Sequence, residues 1–289
     1  MKVAAVLSCA VALMLVSASP ARAQEVVAVL SSDQRAYRET YESFQASFGK
    51  PVPVLALGEK VPRHAKIVVA FGGKAAIQSY AEHVTVIYAL TPGFIIDRTT
   101  HDGPSVKIMM GPGANGLLRA LGALQPALKR LAVLWSHGSR ASSMPRLVEM
   151  GAARGIGVSL DRLDEADDLP RKLRELKGQA DAIWLPPDPI LINSRNFEII
   201  KRFSYDNHIP FYAPTEGLAE QGAVGAVSVS YREMGRTMAS VANGVLAGSQ
   251  LPQDVFTERN QVAVNRMAAA EAGLSLPAEA LKAADRVFP

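Results

Sequence analysis

The sequence predicts an α/β protein built on parallel sheets and folded as two similar lobes. Three observations carry that reading. Short apolar runs of Val, Ile, Leu and Ala recur at residues 26–30, 66–71, 84–90, 106–110, 131–135, 182–185, 209–212 and 223–229. Runs of this length, flanked by Gly, Pro and Ser, suit strands buried on both faces of a parallel sheet. Stretches with helical spacing lie between them, and that alternation is the signature of an α/β fold. The blocks 26–110 and 131–230 each carry about five strand signals in similar order, too many together for one compact sheet.

The helices follow from apolar spacing and end signals. Leu117, Leu121 and Leu124 share a face, with Pro126 as a stop. Leu169, Leu173 and Leu176 repeat behind Asp167 and Asp168, with Pro170 in the first turn, and Phe197, Ile200 and Phe203 follow the cap-like Asn193-Ser194. These are the apolar stripe and the end residues a helix asks for. Two more helices are predicted. One opens at Ser142-Ser143 and runs towards Met150; the other covers 232–246 with Met234, Met238, Val241 and Val245 on one face.

The chain has 289 residues, and its start reads as a secretory signal peptide over 1–23. Lys2 precedes an apolar run over 3–16, and Ala21-Arg22-Ala23 gives a small-x-small cleavage pattern. That run is shorter than the roughly 20 residues a bilayer span needs. Cleavage after Ala23 leaves residues 24–289, one or two domains at about 150 residues each. A chain this size buries roughly 70–75% of its unfolded surface and needs no disulfide staples. Thirty-one basic against 27 acidic residues give +4; without Lys2 and Arg22 this falls to about +2, with no concentrated basic stripe for nucleic acid. The single cysteine, Cys9, lies in the signal. Val6-Leu7-Ser8-Cys9 has the look of a lipid-attachment box, but the apolar run continues past it. Without Cys9, thiol catalysis, disulfides and cysteine-ligated metals are excluded.

Motifs for chemistry are few. Gly111-Pro112-Gly113-Ala114-Asn115-Gly116 is a literal G-x-G-x-x-G between a strand and a helix. It follows about the fifth strand, Pro112 removes a backbone donor, and no acidic residue follows at the ribose-binding spacing of about 20 residues. It reads as a tight crossover. His64, His83, His101, His137 and His208 form no metal-ligand spacing. His137 follows a strand and either meets a ligand or faces solvent; His101-Asp102 reads as a solvated loop. No G-x-S-x-G nucleophile elbow occurs. Trp135 and Trp184 end strands and either pack under the sheet rim or stack on a ligand. The strongest cluster is 181–189, Asp-Ala-Ile-Trp-Leu-Pro-Pro-Asp-Pro. It delivers Asp188 to a strand's C-terminal end, where ligands of open α/β sheets bind. There the carboxylate either accepts from a ligand ammonium or hydroxyls, or serves as a turn or capping residue.

From this cluster outward the chain resembles a known family. The residues are Leu30-Ser31-Ser32-Asp33 with Tyr37-Arg38-Glu39 and Phe44, then Phe71-Gly72-Gly73-Lys74-Ala75-Ala76, then the 181–188 cluster. They continue through Ile209-Pro210-Phe211-Tyr212, Gly222-Ala223, Ser228-Val229-Ser230-Tyr231 with Met234-Gly235-Arg236, and Val264-Asn265 with Ala272-Gly273-Leu274. The ordered set is similar to substrate-binding components of ABC transporters, in the group related to uptake of tryptophan and other aromatic amino acids. It spans nearly all of the mature chain and is strongest from about residue 128.

The resemblance implies a type I periplasmic-binding-protein fold: two Rossmann-like lobes joined by three crossings. Lobe one is expected over 24–128 plus 231–251, and lobe two over 129–230 plus 252–289. Carried over by position, the lobe-one rim comprises Ser31, Ser32, Tyr37, Gly72, Gly73 and Thr91. The lobe-two rim comprises His137, Ser142, Ser143, Asp188 and Thr215. Ser142 and Ser143, opening a helix, offer an anion site or simply cap it. This chain departs from the pattern at three places. The unit between Phe48 and Lys66 is short, Gly73 stands where relatives tend to carry a hydroxyl, and Thr91-Pro92 stands where they carry Asn- or Asp-Pro.

The expected function is the periplasmic solute-binding component of an ABC uptake system. It would close by hinge motion on a small polar or amphipathic solute, for which the resemblance implies an amino-acid-like character. Its partners are the solute and an inner-membrane ABC permease, with no cofactor, metal, nucleic acid or catalytic residue. The alternatives are a ligand-sensing module for a signalling receptor and, third, a secreted α/β enzyme, for which no nucleophile–base pair or metal set is visible.

Overall fold

The computed structural model describes residues 25–91, 101–136, 144–188, 191–250, 252 and 254–289. The chain opens with β1 (Val26–Leu30), α1 (Arg35–Phe48), β2 (Val54–Leu55), β3 (Ile67–Phe71), α2 (Gly73–Ala76), β4 (Thr85–Ala89) and β5 (Ser105–Ile108). These strands pair in parallel, in the order β5-β4-β3-β1-β2. Alternation explains why the runs are apolar throughout. Val26 and Ala28 of β1 point into one buried cluster with Phe44 and Met234, while Val27 and Val29 point into another with Val68, Val86 and Tyr88. The short unit after α1 is a two-residue strand followed by turns through residue 66, with no helix.

The second block repeats the plan. It contains α3 (Ala114–Leu124), β6 (Arg130–Ser136), α4 (Met144–Ala152), β7 (Gly157–Leu163), α5 (Leu169–Leu176), β8 (Ala182–Trp184), α6 (Ser194–Asn207), β9 (Phe211–Ala213), α7 (Glu216–Glu220) and β10 (Gly225–Ser228). The remainder is α8 (Tyr231–Leu246), β11 (Asp254–Val255), β12 (Gln261–Asn265), α9 (Arg266–Glu271), α10 (Ala278–Ala283) and β13 (Arg286–Phe288). The second sheet runs β13-β12-β10-β9-β8-β6-β7, parallel except where β12 pairs antiparallel with β10. Asn193 starts α6 as its sequence suggests: its side chain accepts the Asn196 N–H at 3.0 Å. None of the helices among the described residues is long and apolar enough to cross a membrane.

Two pieces lie on the other side of the lobe limits expected from sequence. The leucines of α3, placed with lobe one, sink into the second sheet's core beside Leu131, Val133, Trp184 and Tyr212. The stretch 254–255, placed with lobe two, is β11, and it pairs with β5. Burial decides both. A four-leucine stripe needs an apolar floor, and the chain must cross at 109–113 to give it one. The far helix α8 packs on the first sheet: Met234, Met238, Val241 and Ala242 join the cluster of Phe44 and Phe71. Its Gly235 lies so close to α1 that a methyl there would stand 2.3 Å from the Thr40 carbonyl oxygen.

His101 corrects the sequence reading of a solvated loop. It is 8% exposed, and its Nε2 lies 2.7 Å from the Val84 carbonyl oxygen. Tyr80 packs edge-on against it, with ring centroids 6.3 Å apart. Trp184 is 3% exposed in the second core, and Trp135 packs half-buried against the same cluster.

Candidate functional site

Each sheet has a point where chain connections leave in opposite directions. It lies between β1 and β3 in the first sheet and between β6 and β8 in the second. Strand ends diverge there, and the crevice beyond their carboxyl ends is where open α/β sheets bind ligands.

In the first sheet this crevice gathers Ser31, Tyr37 and Gly72. The Ser31 N–H donates to the Phe71 carbonyl at 2.9 Å, and its Oγ accepts the Ala75 N–H at 3.0 Å. One serine thus staples β1 to the end of β3. Gly72 turns the chain with φ 94°, and its N–H reaches the Ala89 carbonyl at 2.9 Å. A side chain at Gly72 would come within 2.6 Å of the Tyr37 ring and 2.7 Å of Ser31 Oγ. The bare backbone therefore lets ring and hydroxyl close over it. One strand further on, Leu90 adopts φ 60° and hands the chain to Thr91. Thr91 is 1% exposed, and its buried Oγ1 has no hydrogen-bond partner among the described residues. A buried hydroxyl in that state is costly and marks a place where a polar group of a ligand would be favoured. Ser32 is exposed and Gly73, the first residue of α2, is half-buried.

The second crevice is organised by Asp188, 1% exposed. Its Oδ2 accepts the Ser136 N–H at 2.7 Å, at the end of β6, and its Oδ1 accepts the Leu191 N–H at 3.1 Å. Its own carbonyl accepts the Ile192 N–H at 2.7 Å. A carboxylate accepting backbone N–H bonds from a strand end and from the loop that follows Asp188 itself is a strong brace, because charge-assisted bonds are about twice as strong as neutral ones. Both readings of Asp188 from sequence placed it at a strand end. The structure puts it at the crevice and aims both oxygens at backbone donors. Thr215 is exposed at the start of α7, without a side-chain cap bond. His137, Ser142 and Ser143 lie outside the described residues.

Sequence reading missed Ser136. Its contribution to the crevice is a backbone N–H, and a main-chain donor leaves no mark in residue identity. It also missed Pro187, whose ring faces Gly111 at the first crossing: a side chain on Gly111 would stand 3.5 Å from it. Among the described residues no three His, Cys, Asp or Glu side chains gather as a metal site.

A family model described as ABC transporter substrate binding protein matches residues 118–288. No curated protein sequence matches the chain. Among solved structures, one similar chain is an ABC domain in complex with L-Trp from Streptococcus pneumonia. It is 16% identical at TM-score 0.55, covering 91% of this chain and 99% of that one. Another is the ligand-free, open form of a substrate binding protein with adhesive properties from Clostridium difficile. It is 13% identical at TM-score 0.63, covering 92% and 99%. A conserved domain protein from Vibrio cholerae is similar at 14% identity and TM-score 0.56, covering 91% and 98%.

Proposed function

The chain belongs to the ABC transporter substrate-binding protein family, and on that premise we propose that it captures a small polar or amphipathic, amino-acid-like solute for an ABC permease. Its fold is the two-lobed type I periplasmic-binding-protein fold, mixed α/β with two mostly parallel sheets. The observation that carries the site assignment is the Thr91 hydroxyl, buried and unpartnered among the described residues, one strand over from the Ser31–Tyr37–Gly72 group. The solute sits against this rim, its polar group meeting Thr91, while the second lobe closes over it with Asp188 bracing the opposite crevice. The L-Trp complex of the similar Streptococcus chain supports an amino-acid-like solute.

The work is binding rather than catalysis, carried out in the periplasm after cleavage behind Ala23. Native mass spectrometry of the purified protein tests the reading, followed by calorimetric titration with L-tryptophan and a panel of aromatic and aliphatic amino acids. A bound solute whose affinity drops about 10-fold in Thr91→Val, as expected for one lost hydrogen bond, supports it. Absence of any retained small molecule, together with silence across the panel, overturns it.

A further inference from the structure

Of the glycines in the Gly111–Gly116 motif, Gly111 faces Pro187, whereas Gly113 and Gly116 pack against one other stretch of chain. The first crossing leaves β5 at residue 109 and enters α3 at 114; the third leaves β11 at 256 and enters β12 at 261. The two run side by side. The Met109 N–H donates to the Val255 carbonyl at 2.9 Å. A methyl on Gly113 would stand 3.3 Å from the Phe256 side chain, and one on Gly116 only 2.1 Å from Asn260 Nδ2. Asn260 thus occupies the space that a side chain at 116 would fill.

Asn260 sits there at an energetic cost. Its Oδ1 is buried with no hydrogen-bond partner among the described residues. The neighbouring turn has the opposite deficit. The cap position of α3 is Gly113, which has no side chain to accept from the first-turn N–H groups. The two ends of a carboxamide are nearly equal in size, so a half-turn of the Asn260 amide would bring Oδ1, now 3.7 Å from the methyl position of Gly116, to the place Nδ2 holds at 2.1 Å.

We propose that Asn260 is the latch of the interlobe hinge: seated in the Gly116 niche, it caps the start of α3 from the third crossing. The first and third crossings then bend as one strap, and the resting angle between the lobes depends on that seat. The inference concerns hinge geometry and stands whichever solute is bound.

The test measures the distance between nitroxides at Glu42→Cys on α1 and Arg202→Cys on α6, both exposed, in the full chain with Cys9→Ser. Electron–electron resonance without ligand reports the distribution. Asn260→Leu, which keeps volume and loses the acceptor, should broaden it. Gly116→Ala, which displaces the amide, should broaden or shift it. Asn260→Asp should retain the parent distribution, because a carboxylate caps a helix start at least as well. Loss of packing alone would lower the melting temperature without moving the distribution. The proposal fails if Asn260→Leu leaves the distribution unchanged, or if Asn260→Asp broadens it equally. Should Gly116→Ala not fold, the two Asn260 variants still decide.

Discussion

The two lobes share a strand plan and differ in what covers and braces it. The second sheet has helices on both faces, with α3 and α4 over one core and α5 and α6 over the other. The first sheet has α1 and α8 on one face; on the other, among the described residues, lie only the four-residue α2 and connecting segments, with Ala65, Ala75, Ala76 and Val84. One of its two large helices arrives from far along the chain, and Ser43 Oγ donates to the Arg232 carbonyl at 2.7 Å across that seam. The crevices differ in kind too. A neutral hydroxyl, Ser31, staples the first, and a buried carboxylate, Asp188, staples the second. The same topology can therefore be held by cheap neutral bonds where neighbouring strands stay in register. It takes a charge-assisted brace where the strand end must be tied to a loop.

The largest expected effect tests that contrast directly. Asp188→Ala removes both acceptors and should cost about 3 kcal/mol of apo stability in urea unfolding, whereas Asp188→Asn keeps one oxygen and should cost about half that. A melting temperature unmoved by Asp188→Asn, with ligand affinity lost, would return Asp188 to the role of a ligand contact. Next comes the helix seam. Gly235→Ala drives a methyl into the α1 backbone and should cost about 2 kcal/mol. Gly122→Ala, in the second lobe's α3 with open space around it, should be neutral or gain up to about 1 kcal/mol. Equal effects of the two substitutions would break the comparison. Ser31→Ala should cost about 1 kcal/mol, clearly less than Asp188→Ala.

The smallest effect lies at the opposite ends of the strands. Asp181 bonds to Arg130 at 2.7 Å and to the N–H groups of Lys129 and Arg130. Burial pushes its pKa up, but the Arg130 guanidinium and the two N–H donors prevail and hold it below the usual carboxylate value. A lowered folded pKa means that this stabilisation is complete above the ordinary carboxylate range. It is lost as pH falls through the lowered value. Asp181→Asn should flatten that acid loss and cost about 1 kcal/mol at neutral pH, read from urea midpoints across pH. The counterpart in the first lobe, Lys66 with Glu25 at 2.6 Å, is solvent-exposed and should show no measurable contribution.

By itself the sequence determined the fold class and eight of the strands; β2, β7, β11, β12 and β13 lie outside its apolar runs. Val26–Leu30 and Ile67–Phe71 are apolar at every position because both faces are buried, and that is visible without coordinates. Asp188 was visible as a strand-end carboxylate, whereas Ser31 and Gly72 entered as rim residues only through the family resemblance. Which side of the hinge α3 and β11 belong to was decided only by tertiary structure. A leucine stripe records that it needs a core and not which core. The burial of His101 was hidden for the same reason: its partner is the Val84 carbonyl, and backbone acceptors are identical in every residue. The direction of the Asp188 carboxylate also had to come from the fold, because the Ser136 N–H it accepts lies 52 residues away on a neighbouring strand. The placing of Asn260 against Gly116 is the plainest case, since a glycine records an available space and only the packed chain supplies what fills it.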